Sequence, residues 1–109
     1  MAYTLTYNTS TAITTSQINS TKVTVFSNVA CYANINGSAT QSNPVSVLPN
    51  RKNDINMQGL FNTLSLLPVG GASAAITITQ VGNVAASGYV NDFAAGNTTA
   101  KTGNVYTAG

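Results

Sequence analysis

Apolar and polar residues alternate with period two along most of this chain, and the pattern is sharpest over residues 22–37. Val23 and Val25 fall on one side, with Thr24 and Phe26 on the other; Cys31, Ala33 and Ile35 then alternate with Tyr32, Asn34 and Asn36. Such alternation marks strands with one buried and one wetter face. A break at Ser27-Asn28 divides the stretch into two strands. Asn36-Gly37 then offers the residue pair that a type I′ hairpin turn favours. The polar segment 38–42 returns from it as a weak antiparallel partner.

The same pattern continues on both sides. Tyr3, Leu5 and Tyr7 share one face of an opening strand, followed by a polar turn at 8–11, a short strand at 12–15 and a polar connection at 17–21. Prolines at 44 and 49 bracket a short strand near an edge, because proline removes a ladder donor. Residues 50–53 read as an exposed loop, and 54–58 as a strand aligning Ile55 with Met57. Leu60, Leu64 and Leu67 fit a helical stripe, but eight residues between Gly59 and Pro68 is strand length, so 60–67 is assigned to a strand. Residues 69–73 form a flexible loop, and 74–81 give the cleanest strand, with Ile76 and Ile78 opposite Thr77 and Thr79. Gly82 closes it. From residue 83 the sequence turns rich in Ala, Gly, Asn and Thr, with Tyr89, Val90, Phe93, Val105 and Tyr106 as its anchors, which reads as an arm ordered by lying against something else.

Many short strands with turn residues between them and no convincing helix predict an all-β fold, an antiparallel β-sandwich of jelly-roll-like form. The expected organisation is an N-terminal arm with edge strands at 1–21, a sandwich core at 22–82 and an extended C-terminal arm at 83–109. No internal repeat points to a propeller or β-helix. The 109 residues suffice for one domain.

Composition sharpens this picture. Only 6% of residues are charged, against about 25% in ordinary globular domains, so the surface must be covered by Thr, Ser and Asn. Little charge repulsion keeps copies of such a surface apart. The net charge of +2 has one adjacent cation pair, Arg51-Lys52, too few for a phosphate-backbone site; no nucleic-acid partner is expected. No secretory signal is visible at the start, and no apolar run reaches the roughly 20 residues of a membrane span. The Asn-x-Ser/Thr sequons at Asn8, Asn19, Asn36 and Asn97 follow from an Asn- and Thr-rich composition.

The chemical vocabulary is thin. There is no His, Glu or Trp, and Asp54 and Asp92 are the only side-chain carboxylates. Glycosidase chemistry needs two converging carboxylates, and a Ser or Cys nucleophile needs an activating base. One Cys without His disfavours zinc and copper. The NRKND segment at 50–54 lacks the carboxylate density of a calcium site. Cys31 falls in an inward series and reads as a small buried hydrophobe. No enzyme activity, cofactor or metal is expected. The tyrosines could stack on sugars or anchor a protein interface. Tyr32 reads as half-buried; Tyr3, Tyr7, Tyr89 and Tyr106, with Phe93, are the candidate interface residues.

The segments CYANINGSATQSN, VSVLP, DINMQG, LFNTLSLL and AAITITQVG, in that order, make the block 22–82 resemble small β-sandwich virion proteins of tailed bacteriophages. The resemblance covers over half of the chain. Its long terminal additions depart from the commoner form. It implies a capsid decoration (cement) subunit, made in the host cytoplasm and carried on the virion exterior. The major capsid protein would be its partner, with a trimer or dimer of itself as a further expectation and no membrane contact. In that reading the arms bind across neighbouring subunits. The alternative is a carbohydrate- or receptor-binding module of a fibre or spike, using exposed Tyr and Asn. A cell-surface adhesin or pilus-like subunit is a third reading, weakened by the missing signal.

Overall fold

The computed structural model describes residues 3–15, 18, 20–84 and 106–108. Among the described residues nine strands follow one another: β1 (Tyr3–Thr9), β2 (Ile13–Thr14), β3 (Ser20–Ser27), β4 (Cys31–Ile35), β5 (Val45–Val47), β6 (Lys52–Asn56), β7 (Leu64–Pro68), β8 (Ala74–Val84) and β9 (Tyr106–Ala108). One 3-10 turn, Val69–Gly71, joins β7 to β8. The strands form two antiparallel sheets, ordered β6-β3-β8-β1-β9 and β2-β7-β4-β5. The sheets pack as a sandwich around one core, the fold class that the alternation predicts.

The core is the sum of the inward series. Val23 and Val25 from β3, Ile76 and Ile78 from β8 and Tyr7 from β1 meet Cys31 and Ala33 from β4 and Leu64 and Leu66 from β7. On β3 and β8 the outward positions between them carry Lys22, Thr24, Phe26, Thr77 and Thr79. The register runs one row straight across the first sheet, Asp54 beside Thr24, Thr24 beside Thr79, Thr79 beside Thr4, and Thr4 beside Thr107. Branched β-carbons suit that pleated, half-wet position. A second row places Lys52, Phe26, Thr77 and Thr6 in line.

Ile18 ties the sheets together at one end of the sandwich. It is fully buried, its N–H donates to the Asn62 carbonyl at 2.9 Å, and its own carbonyl accepts from Gln80 Nε2. Thr15 does the same work beside it: its N–H and hydroxyl both donate to the Leu64 carbonyl, and Leu64 N–H donates back to Thr15 Oγ1 at 3.1 Å. Ser65 is buried within β7 and satisfied on several sides, donating to the Ile13 carbonyl and accepting from Ala39 N–H at 2.8 Å.

Several local expectations are corrected. Residues 1–21 supply core as well as edge: β1 lies inside the first sheet between β8 and β9, and Tyr7, Ile13 and Ile18 are fully buried. No two-residue hairpin forms at Asn36-Gly37, and 38–42 is not a strand. Asn36 alone of the pair has positive φ, at 60°. It is held by residues distant in sequence, its Nδ2 donating to Asn62 Oδ1 at 3.0 Å and its Oδ1 accepting from Thr63 N–H at 3.1 Å. The partner of β4 on that side is therefore β5. The strand expected over 60–67 begins only at Leu64, because Asn62 turns its amide back to the Met57 carbonyl at 2.6 Å. β6 starts at Lys52, inside the stretch expected to be loop.

Gly82 does not end β8. The register jumps from Lys22 opposite Val81 to Ser20 opposite Val84, so β8 carries one extra residue there. That bulge takes Gly82 at φ 70°, the left-handed region open to glycine. A Cβ on Gly82 would meet Thr21 Oγ1 at 2.6 Å, the same oxygen that accepts the Asn83 N–H at 2.9 Å. Of the segment 83–109, Asn83 and Val84 complete β8, and Tyr106–Ala108 pair with β1; residues 85–105 lie outside the described residues.

Two outcomes follow. Gly82→Ala should lower stability by about 1–3 kcal/mol, read as a lower urea midpoint at unchanged slope. The Tyr7 hydroxyl is buried with no hydrogen-bond partner among the described residues, and burial pushes its phenol from 10.0 up to about 12. The folded form then holds a proton that the unfolded chain gives up above pH 10. Stability from this group is complete below pH 10 and falls as pH rises from 10 towards 12. Tyr7→Phe should flatten that alkaline decline and leave stability at pH 7 equal or higher by up to ~1 kcal/mol, measured by urea titrations at both pH values.

Candidate interaction surface

Each sheet of the sandwich ends in a short edge strand on the same side, β6 in the first sheet and β5 in the second. Between them opens a cleft of about 450 Å³. Ala33, Ile35, Pro44 and Ile55 are the apolar part of its lining, and Asn34, Asn43, Ser46, Asp54, Asn56 and Gln58 supply polar groups. Several of these amides have one end already engaged. Asn34 Nδ2 donates to the Ser38 carbonyl, Asn43 Oδ1 accepts from Thr40 N–H, and Asn56 Oδ1 accepts from Gln58 N–H.

The two edges are joined by one side chain. Asn53 points inward from β6; its Nδ2 lies 3.2, 3.0 and 2.9 Å from the Val25, Leu48 and Arg51 carbonyls, and its Oδ1 accepts from Leu48 N–H at 3.0 Å. An amide carries two donors and one acceptor group, so Asn53 can stand in for the backbone ladder that the 48–51 turn lacks. Asn50 N–H closes the turn onto the Ser27 carbonyl at 2.7 Å.

Among the described residues four large apolar side chains are exposed: Phe26 at 41%, Val45 at 44%, Leu48 at 46% and Phe61 at 44%. Three of them belong to β3, β5 and the turn after β5. The charges near the cleft are Arg51 and Lys52 at the start of β6, and Lys22 with Asp54, which pair at 3.9 Å on the outer face, Asp54 also accepting from Thr24 Oγ1 at 2.9 Å. An exposed pair of that kind contributes little to stability.

The residues expected at an interface are distributed differently. Tyr7 is fully buried against the core and cannot touch a partner, because its strand is interior and its face is the inward one. Tyr3 and Tyr106 are brought to neighbouring strands at one edge of the first sheet, opposite Ala108 and Leu5 respectively. Tyr89 and Phe93 lie outside the described residues. Phe26 was recognisable from its place in the outward series with Thr24. Val45 was not, since its alternation with Val47 suggests a shared face; a register shift between Cys31 and Tyr32 leaves Val47 buried and Val45 exposed.

Reactive chemistry is sparse here. Cys31 is buried, and burial pushes its thiol up while a contact with Ser27 pulls it down; a protonated buried thiol is a poor nucleophile. Among the described residues no group of three or more His, Cys, Asp or Glu could hold a metal ion, and no helix is long and apolar enough to cross a membrane. The arrangement suits recognition through apolar contact and neutral hydrogen bonding.

Asn53→Ala should cost about 1–3 kcal/mol, since it leaves the Leu48 N–H and up to three carbonyls without this partner. The expected signature is faster amide exchange at Leu48 and its neighbours beyond the global loss of stability.

No protein-family model, curated protein or solved structure matches this chain.

Proposed function

We propose that the chain is a structural virion subunit of the capsid-decoration kind, which binds the outside of a phage head against the major capsid protein and strengthens the lattice by added contact. The observation that supports it best is the character of the surface. Phe26, Val45, Leu48 and Phe61 stand 41–46% exposed on a protein in which only 6% of residues carry charge. Covering such side chains on docking contributes on the order of 1 kcal/mol each, and neutral hydroxyls and amides around them can pair with a neighbour without the cost of desolvating ions. The resemblance of the block 22–82 to small phage β-sandwich proteins points the same way.

A second reading is favoured by the cleft between β5 and β6. Its amides, with one carboxylate, are the kind of groups that pair with the hydroxyls of a neutral glycan, which fits a receptor-binding module.

Co-sedimentation separates the two. The full chain should pellet saturably with capsids purified without it, and Leu48→Asp with Phe61→Asp should weaken that binding by about tenfold or more while the circular dichroism spectrum stays that of the parent. A chain that remains in the supernatant at every ratio overturns the decoration reading. Binding to a neutral glycan on an array, lost in Asn43→Ala, establishes the other.

A further inference from the structure

The edge of β6, unpaired among the described residues, has a direction and a charge pattern. Met57 N–H donates to the Thr21 carbonyl at 2.9 Å, and the register of Ile55 with Val23 and Asn53 with Val25 continues the same parity. In an antiparallel ladder, residues of one parity face one neighbour and those of the other parity face the opposite side. Lys52, Asp54 and Asn56 therefore aim their backbone N–H and C=O away from β3. β6 ends its sheet, and no described residue supplies backbone partners to those three. A strand edge of this kind is a template for another strand.

The side chains of the same residues decide which strand. Lys52 and Asp54 both stand exposed on the outer face, two positions apart and opposite in sign. Laid antiparallel on a copy of itself, with a two-fold axis at Asn53, β6 places Lys52 opposite Asp54 of the second copy and Asp54 opposite Lys52 of the second copy. Both pairs fall on residues whose backbone groups face the seam, so the hydrogen-bonded rungs and the charge pairs coincide. The neighbouring register that keeps this parity puts Asp54 opposite Asp54, and like charges directly opposite are destabilising. Sliding the other way sets Lys52 opposite Lys52 and Asp54 against Asn50, again like charge against like. Lys22, 3.9 Å from Asp54, extends the alternation of sign inward from the seam.

The geometry points to β6 as a homodimerisation edge: two copies join their β6 strands antiparallel about Asn53, making one continuous ten-stranded sheet with reciprocal Lys52–Asp54 pairs. The interface is isologous, the form that closes at two copies. It does not depend on the capsid reading. It occupies the side on which the cleft opens, so a glycan and a second copy would compete there.

Sedimentation velocity of the full chain over a concentration series tests it. The wild type should show a species of twice the chain mass that dissociates on dilution and in high salt. Lys52→Asp and Asp54→Lys should each associate more weakly by about tenfold or more, and an equimolar mixture of the two should recover the dimer, because one edge is then wholly acidic and the other wholly basic. Hydrogen exchange on the unmodified protein reads the same contact without any variant: the Lys52, Asp54 and Asn56 amides should exchange slowly at high concentration and fast on dilution. A wild type that stays monomeric, single reversals that dimerise undiminished, a mixture that fails to associate, or exchange at those three amides independent of concentration would each overturn the proposal. Protection that appears only with a different protein bound would also overturn it, by assigning the edge to another partner.

Discussion

The pairing of β3 with β8 is the constraint on which the rest of this fold depends. It brings residues 20–27 against 76–84, and it sets Val25 beside Ile78 and Ser27 beside Ile76 on the inner face while threonines line the outer one. Every other strand of the first sheet is placed by reference to it: β6 attaches to the far side of β3 and β1 to the far side of β8. A one-residue slip would turn all of these side chains to the wrong face. The Gly82 bulge confines the one irregularity to the end of the pair, where the glycine can adopt a left-handed backbone and Thr21 Oγ1 takes up the Asn83 N–H.

What could be read from the sequence follows from this division between ladder and loop. Alternation exposes strands with one wet face, so β3, β4 and β8 were legible, and Phe26 could be assigned to the outside. The burial of Tyr7 was less so: its face was recognisable, but that this face packs into the core depends on pairing with Ile76 of β8, far along the chain. The start of β6 was concealed by its own composition, since Lys52-Asn53 reads as a loop and edge strands are the strands that carry charge. Locally Asn36-Gly37 reads as a hairpin turn, whereas the conformation of Asn36 is set by Asn62 and Thr63, a contact that no local pattern reveals. Val45 escaped for a similar reason, because a register shift undoes the alternation that the sequence displays.

The loops show how a chain with so few charges closes a sandwich. Asn28 accepts the Ala75 N–H at 2.7 Å, Asn36 and Asn62 clasp one another, and Asn53 gathers the turn after β5. Each amide replaces a stretch of backbone ladder at a place where the chain changes direction. With polar groups committed inward in this way, the outer surface is left with threonine rows, a few exposed apolar residues and one open side bounded by β5 and β6. That side combines neutral amides and apolar contact in the cleft with the exposed Lys52 and Asp54 of β6.

Fastening loops with asparagine also sets how the protein ages. A primary amide is among the more labile side chains over long times and at raised temperature, and its hydrolysis product keeps the shape but loses the donors. At Asn36, whose Nδ2 donates to Asn62 Oδ1, the change would set a carboxylate oxygen against another acceptor, turning a fastener into a repulsion. At Asn53 it would put negative charge among three carbonyls. The working lifetime of the fold is then bounded by amide chemistry at a few turn residues, well away from the apolar core that supplies most of its stability.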